Sequence, residues 1–588
     1  MSIAILYGSE TGTAQDIAES LRREAQQRHL QARVHELDEY DVSQLPMEKV
    51  VLFVVSTTGQ GEMPPNMRKT WKLLLRKSLG ADFLKNVNIG VLGLGDSSYQ
   101  KYNFAGKKLY RRLVQLGAKM MCGVHLADDQ HEIGIDGAFI PWKTECWKKI
   151  KEIAENLSIY REMTAEIDTS VQITTKYRFL ELGGESGNDD DDSDEDLEPQ
   201  IEIPDYFPLK VLKNRRLTSA EHFQDTRLVD FEISDRNRSK MGFQPGDVLM
   251  VRPYNPEETV KIAIEALGLT EEQLKKPLKI VKNDRFSKNP PNFLVGNFSA
   301  KTTLLTCLQR YFDLQQVPKR SFFEMLGYYS TNPPEKERLQ ELASPEGLDD
   351  YLDYANRSRR TTAEALRDFV ATSKNLKPDY LFEILTTIRP RAFSIASAPS
   401  PFHLELLVAK VEYKSRMADK RRGLCSTFIS RLKPGDEVFC KIRPGTFKFP
   451  SPEAPVICIG PGTGVAPFRS LFGHRSLFSA HFPGILFFGC RSEHHDYYFS
   501  DEWPELSGVA VIPAFSRDTD GRKVYVQHKM GENAGKIKRM LDLGAQVFIA
   551  GSSGDMPKAV SAVLAQIQGD EWTRRAEETG KIQYETWS

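Results

Sequence analysis

The chain predicts two doubly wound α/β domains with an antiparallel β-barrel between them, and a helical insertion inside that barrel. Three observations carry this. The first 150 residues hold apolar runs that each end in a small, polar, glycine-bearing loop followed by a helix-like pattern. The same grammar returns after residue 451. Between them lie β-rich segments with turn signals, interrupted from about 255 to 385 by helical periodicity. Strands buried on both faces read as continuous apolar runs, whereas half-solvated strands alternate.

The bulk numbers fit. A length of 588 residues asks for several domains. Hydrophobic content of 40% and charged content of 27% are those of a globular chain. A net charge of −1 argues against a general nucleic-acid binder, which carries a basic face. No apolar run reaches about 18 residues, so no membrane span is expected. Met1-Ser2-Ile3-Ala4-Ile5 lacks the basic lead of a signal peptide. Seven cysteines, without a C-x-x-C pair, give neither a disulfide framework nor a zinc site. They suit reduced core thiols of a cytoplasmic protein, Cys458 in a buried strand among them. No metal site is expected, and the chain is expected to be a monomer.

In chain order, the apolar run 3–7 leads into Gly8-Ser9-Glu10-Thr11-Gly12-Thr13-Ala14, and Ile17, Leu21 and Ala25 then fall on one helix face. Strand, small-residue loop and helix present backbone N–H groups to a phosphate. No lysine follows the glycine, so this is not an NTPase loop. Hydroxyls at Ser9, Thr11 and Thr13 without a cation suit a monophosphate such as that of FMN.

Buried-strand runs at 50–55 and 89–93 follow. The first is capped by Ser56-Thr57-Thr58-Gly59-Gln60-Gly61. The second is capped by Leu94-Gly95-Asp96-Ser97-Ser98-Tyr99-Gln100-Lys101-Tyr102-Asn103. Ligands of open α/β sheets bind beyond the carboxyl ends of strands, and three such ends carry polar loops here. Residues 126–132, with Asp129, form a fourth candidate loop, and His131 in it reads as a surface histidine. Periodicity then fades, and 151–204 reads as a linker. Its stretch Asp189-Asp190-Asp191-Asp192-Ser193-Asp194-Glu195-Asp196 is predicted to stay disordered.

Segments 208–217, 226–233 and 248–251 open the barrel, within a domain of 205–450. Helical patterns at 257–267, 302–312, 335–342 and 361–370 form the insertion, and Arg359 sits in a basic cluster there. The β pattern resumes at Arg389-Pro390-Arg391-Ala392-Phe393-Ser394, which offers a cation for a phosphate, an aromatic face for a ring and a hydroxyl for a ring nitrogen. Gly423-Leu424-Cys425-Ser426 opens a helix and makes a second phosphate-type site. With Arg391 it would clamp a pyrophosphate such as that of FAD.

The last domain, 451–588, opens with the strand 456–459 and Gly460-Pro461-Gly462-Thr463-Gly464. Strands at 484–489, 509–514 and 546–550 follow. Ser516 and Arg517, then Lys523-Val524-Tyr525-Val526-Gln527, suit a ribose 2′-phosphate, hence NADPH; an acidic residue would favour NADH. Trp587, next to the terminus, is a tail, a packing plug or a flavin cover.

End to end and in order, these motifs resemble the diflavin reductases. That family joins a flavodoxin-like FMN domain to a ferredoxin–NADP reductase-like half with a helical insertion. The resemblance implies electron flow from NADPH to FAD to FMN to a one-electron acceptor. It implies that Ser9–Ala14 hold the FMN phosphate, and that Ser56–Gly59, Leu94–Asn103 and Asp129 hold the ring, with Tyr99 stacking. It also implies that Arg359, Arg391, Ala392, Phe393, Ser394, Gly423, Leu424, Cys425, Ser426 and Trp587 bind FAD. Thr463, Ser516, Arg517 and Lys523–Gln527 would bind NADPH, and Ser394, Glu585 and Trp587 would serve hydride transfer.

Departures from the family pattern are Thr58 at the second FMN-stacking position, Ala550 for a cysteine, Ala559 for an aspartate and Glu585 for a terminal aspartate. These imply slower hydride transfer than in microsomal relatives. Within the family the motifs are most similar to the branch that reduces the iron–sulfur protein anamorsin in cytosolic iron–sulfur assembly. Residues 1–150 hold 20 Lys and Arg against 17 Asp and Glu, a net of +3, which suits an acidic acceptor. The competing readings are a soluble cytochrome-type or quinone reductase, and a flavin-binding scaffold without turnover.

Overall fold

A computed structural model describes residues 2–59, 61–99, 101–156, 167–168, 170–181, 206–283, 302–478, 483–518 and 523–587. Gln100 and the acidic stretch lie outside them. The chain divides into two compact units. One is Met1–Ile201 with Glu257–Arg389 and Ser415–Met417; the other is Glu202–Pro256 with Pro390–Lys414 and Ala418–Ser588.

The first unit begins with a parallel sheet of β1 (Ser2–Gly8), β2 (Gln31–Glu36), β3 (Val50–Ser56), β4 (Asn88–Gly95), β5 (Lys119–Met120) and β6 (His125–Asp128). The order is β2-β1-β3-β4-β5, with β6 also on β4. This is the flavodoxin order, whose switch point lies between β1 and β3. Helices α1 (Thr13–Gln27), α2 (Arg68–Leu74), α3 (Phe104–Gln115) and α4 (Asp136–Asn156) cover it. Alternate residues of β1 and β3 enter opposite cores: Ile3, Ile5, Val50 and Leu52 pack under α1 and α4, and Ala4, Leu6, Val51 and Phe53 under α3. Period-two alternation on strands buried on both faces is why these runs have no polar positions.

The insertion belongs to the same unit and has its own core, including Phe312, Phe323, Leu339, Leu366 and Phe382. It seats on α1, where Arg22 Nη2 meets Glu383 Oε2 at 2.9 Å and Ser321 Oγ donates to Asp16 Oδ1 at 2.8 Å. Two parts of the expected linker are structured, the first being the end of α4, which runs on to Asn156. The second, Tyr177–Glu181, is a strand, antiparallel to Leu278–Lys282 in the insertion. The Tyr177 ring lies edge-on to Phe382 at 5.6 Å. Only Tyr177 and Phe179 turn inward on this short strand, too few for a clear alternation beside the acidic run.

The second unit carries a six-stranded antiparallel sheet. Its order is Arg391–Ser394, Val248–Val251, Glu437–Arg443, Phe207–Arg216, Thr226–Glu232, His403–Ala409. The expected barrel is not closed by a ladder: among the described residues the two edge strands meet at one bridge, Ile395 with Leu406, next to Ala396 N–H donating to Glu405 O at 2.8 Å. Pro399 and Pro401 lie in the turn that joins these two segments.

A parallel sheet follows, ordered Val509–Phe515, Gly484–Cys490, Val456–Ile459, Gln546–Ser552, Ile582–Trp587. Arg469 joins the two sheets, holding Glu405 at 2.6 Å and donating to Ala396 O at 3.0 Å. All seven cysteines are buried and free. Among the described residues no helix is long and apolar enough to cross a membrane, and no cluster of potential metal ligands occurs.

Candidate flavin and nucleotide sites

In the first unit, the loops beyond β1, β3, β4 and β6 converge. Gly12 has φ 96°, a left-handed turn that L side chains avoid, and it delivers the chain into α1. Its N–H donates to Ser9 Oγ at 2.9 Å, and Ser9 N–H donates to Asn66 Oδ1 at 2.9 Å. The first N–H groups of α1 therefore face outward from an ordered turn, the arrangement that receives a phosphate. Thr57 N–H donates to Leu94 O and Asp129 N–H to Gly95 O, each at 2.9 Å, which laces the second, third and fourth loops together. Ser56 Oγ donates to Gly8 O at 3.2 Å.

Thr58 pairs with Glu62 across a tight turn whose Gly61 has φ 80° and lies against the Lys101 stem. Ser97 N–H donates to Asp128 Oδ1 at 2.9 Å and Ser98 N–H to Asp96 Oδ1 at 2.8 Å. Tyr99 is half-buried, with its N–H bonded to Asp96 O at 3.2 Å. Tyr102 and Asn103 serve the scaffold: Tyr102 O–H donates to Leu126 O and Asn103 Nδ2 to Ala127 O, each at 2.8 Å. The Oδ1 atom of Asn103 is buried without a hydrogen-bond partner. The N–H groups at the start of α1 and the hydroxyls of the first three loops fit a flavin mononucleotide, and the fourth loop is acidic. Burial and the neighbouring Asp96 and Asp128 raise the Asp129 pKa, and Arg359 opposes the rise. Arg359, expected at the FAD site, thus lies in the first unit beside Asp129, with φ 55°. His131 is exposed.

In the second unit, Arg391–Ser394 pairs with Val248–Val251, with Ser394 opposite Val248. Arg391 and Ala392 are exposed, and Phe393 packs its inner edge on the sheet core. The helix Leu424–Arg431 starts at Gly423, whose N–H donates to Val411 O at 3.0 Å; Ser426 Oγ accepts from Val411 N–H at 3.0 Å. Burial raises the Cys425 thiol to about 12, and the charge of Arg391 opposes the rise. Arg391 therefore lies near this helix start, as a pyrophosphate clamp requires.

Ser394 Oγ donates to Glu585 Oε1 at 2.5 Å. Burial raises the Glu585 pKa, against the pull of Ser394, the Thr446 N–H and Arg443. Glu585 Oε2 is buried without a hydrogen-bond partner. Glu585 reaches this position because Ile582–Trp587 is a strand, in register with Gln546–Ser552 so that Ala550 faces Glu585 and Ser552 faces Trp587. Trp587, 38% exposed, is thus the end of a sheet edge rather than a loose tail.

Thr463 sits in the turn Gly462–Val465, beyond Val456–Ile459. A Cβ on Gly464 would lie 2.3 Å from Ala550 O, so only glycine fits there. Ser516 and Arg517 follow Val509–Phe515, held by N–H bonds to Cys490 O at 3.0 Å and Arg491 O at 2.8 Å. Lys523 and Tyr525 are exposed beside them in sequence, Val524 and Gln527 are half-buried, and Val526 turns into the core. This polar turn, with a serine and two cations near one parallel edge, fits a phosphorylated dinucleotide.

The fold and these sites define a flavoprotein reductase with two flavin domains and an NADPH domain. Family models agree: Flavodoxin over residues 5–142, FAD binding domain over 200–428 and Oxidoreductase NAD-binding domain over 458–562. The chain belongs to the NADPH-dependent diflavin oxidoreductases. It is 38% identical to NADPH-dependent diflavin oxidoreductase 1 of Danio rerio, over all of this chain and 99% of the relative. The Mus musculus protein of that name is likewise 38% identical, with the same coverage. The Arabidopsis thaliana protein is 36% identical, again over all of this chain and 99% of the relative. FMN, FAD and NADPH are accordingly its cofactors.

One neighbour of the first loop was not assigned to it from the motifs. Arg389, two residues before Arg391, lies against Gly12 of the first loop and Gln15 on the first turn of α1. The sequence separation of 374 residues hides it, and only the seating of the insertion on α1 brings it there.

Proposed function

We propose that this chain passes electrons from NADPH to an acidic one-electron acceptor, an iron–sulfur protein of the anamorsin type, in cytosolic iron–sulfur protein assembly. The observation that carries the acceptor's chemistry is a basic strip beside the loop beyond β4. Lys101 precedes α3, and Lys107, Lys108 and Arg111 follow on its first two turns. The net charge of +3 over residues 1–150 has the same sign. Such a strip steers an acidic partner to the loops that would hold the ring of FMN.

Bound flavin supplies the redox chemistry, accepting electrons in a pair and releasing them singly. The residues supply position and protons. Thr463, Ser516, Arg517 and Lys523 would orient NADPH. Arg391 and the helix start at Gly423 would fix FAD, with Phe393 against its ring. Ser394 and Glu585 would hold a proton at the ring edge. The hydroxyl loops at Ser9 and Ser56 would fix FMN.

The test is NADPH-driven reduction of an acidic 2Fe-2S protein and of a basic cytochrome, followed by absorbance over a salt series. The iron–sulfur protein should be reduced faster, and its rate should fall with salt because Lys108 and Arg111 are exposed to screening. Preference for the cytochrome, or a salt-independent rate, would overturn the acceptor assignment while leaving the reductase intact.

A further inference from the structure

The loop that would receive the FMN phosphate carries no cation of its own and includes Glu10. A bound phosphate monoester is close to doubly charged at neutral pH. Neutral N–H and O–H donors suffice to hold such a group, and a cation from elsewhere would strengthen the hold.

The insertion brings cations to this loop. The Arg389 guanidinium spans the first turn of α1: its Nε, Nη2 and Cζ atoms lie 3.3, 3.5 and 3.7 Å from where a Cβ on Gly12 would stand. Its Nη2 donates to Gln15 Oε1 on the next residues of that turn. Gly12 thus leaves room for the guanidinium as well as making the turn; a Cβ there would press on it. Lys319, also from the insertion, sits with Nζ 3.9 Å from Asp16 Oδ2. Burial and the charge of Arg389 lower the Lys319 pKa, while Asp16 and Asp313 raise it. The two cations are therefore close enough to repel one another. Thr13, Asp16 and Lys319 also line a cavity of about 2220 Å³, to which neither Gly12 nor Arg389 contributes.

We propose that Arg389, with Lys319 behind it, completes the FMN phosphate site, so that part of this site comes from the far side of the sequence. The proposal rests on the first loop being the FMN phosphate loop. It has a reciprocal consequence. If Arg389 strengthens FMN binding, bound FMN strengthens the seat of the insertion on α1 by the same factor. Riboflavin, which lacks the phosphate, does neither.

The test uses full-length protein that retains FAD and has been freed of FMN, titrated with FMN and with riboflavin by flavin fluorescence. Arg389→Met removes the charge and keeps an unbranched stem. A charge-assisted hydrogen bond lost from a phosphate predicts roughly 10- to 100-fold weaker FMN binding, with riboflavin binding unchanged within twofold. Arg389→Lys should recover part of the loss, since a lysine keeps the charge without the planar fork. FMN should also raise the melting temperature of the wild type more than that of Arg389→Met. If Arg389→Met fails to retain FAD, Lys319→Met replaces it, with a smaller loss expected for FMN alone. FMN affinity within threefold of wild type would overturn the proposal. So would equal weakening of both ligands, which is the signature of a tie between α1 and the insertion. Wild-type protein that binds neither ligand would instead overturn the FMN site itself.

Discussion

Replacing Ser394 by alanine tests the chemistry of the second unit most directly. The Ser394 hydroxyl donates to Glu585 Oε1 at 2.5 Å, the length of a charge-assisted O–H···O bond. Such a bond contributes about 1.5–3 kcal/mol. If it acts while the hydride is transferred, its loss slows that step by about 10- to 150-fold. The assay is stopped-flow bleaching of the flavin absorbance after mixing with NADPH, at a series of pH values.

Burial holds the Glu585 pKa above the ordinary glutamate value. Its ionisation therefore falls at higher pH than for a solvated carboxyl, and the wild-type rate should change there. Glu585→Gln should lack that limb of the pH profile. The stability sign is separate. A carboxyl whose folded pKa is raised binds more protons in the folded state, so stability falls as pH rises from the ordinary value through the folded one. Glu585→Gln should thus melt slightly higher at neutral pH while transferring hydride more slowly. Rates within twofold of wild type for both variants would refute a role for this pair in the transfer.

Other predictions address other parts of the chain. Glu383→Ala leaves Arg22 and Arg23 buried without their shared carboxylate, which meets them at 2.9 and 3.6 Å; it should cost about 3–5 kcal/mol, read as a lower denaturation midpoint of the first unit. A midpoint unchanged within error would remove that ion pair from the account of how the insertion seats. Arg517→Ala combined with Lys523→Ala should raise KM for NADPH at least tenfold and leave KM for NADH nearly unchanged, because only the 2′-phosphate is lost as a partner; parallel changes for both nucleotides would contradict it. Deleting residues 184–198 should slow acceptor reduction while flavin reduction by NADPH persists, and equal loss of both rates would refute a tether that carries the flavodoxin-like part to its acceptor.

Much of this protein was legible in the sequence because its information is local. The runs at 50–55 and 456–459 are apolar throughout since both sheet faces are covered, and the loops after them needed only glycines and hydroxyls to be recognised. The cluster Arg391–Ser394 carried its three chemistries in four consecutive residues. Where signals were short or their partners remote, the sequence said less. Tyr177–Glu181 has two inward residues beside an acid run, so its pairing with Leu278–Lys282 could not be inferred. The barrel was expected to close, yet among the described residues its edge strands share a single bridge, a pairing of remote strands that no local pattern reports.

The sequence by itself therefore determined the class of each domain, their order and the cofactors they take. Hydrophobic period, turn chemistry and spacing within about ten residues encode all of these. Tertiary structure decided which distant groups meet. It put Glu585 beside Ser394 through the register of the last strand. It also put Arg389 across the first turn of α1 through the seating of the insertion. The physical reason is that a side chain's charge acts over a few ångströms of space, while a motif is recognised only over a few residues of chain.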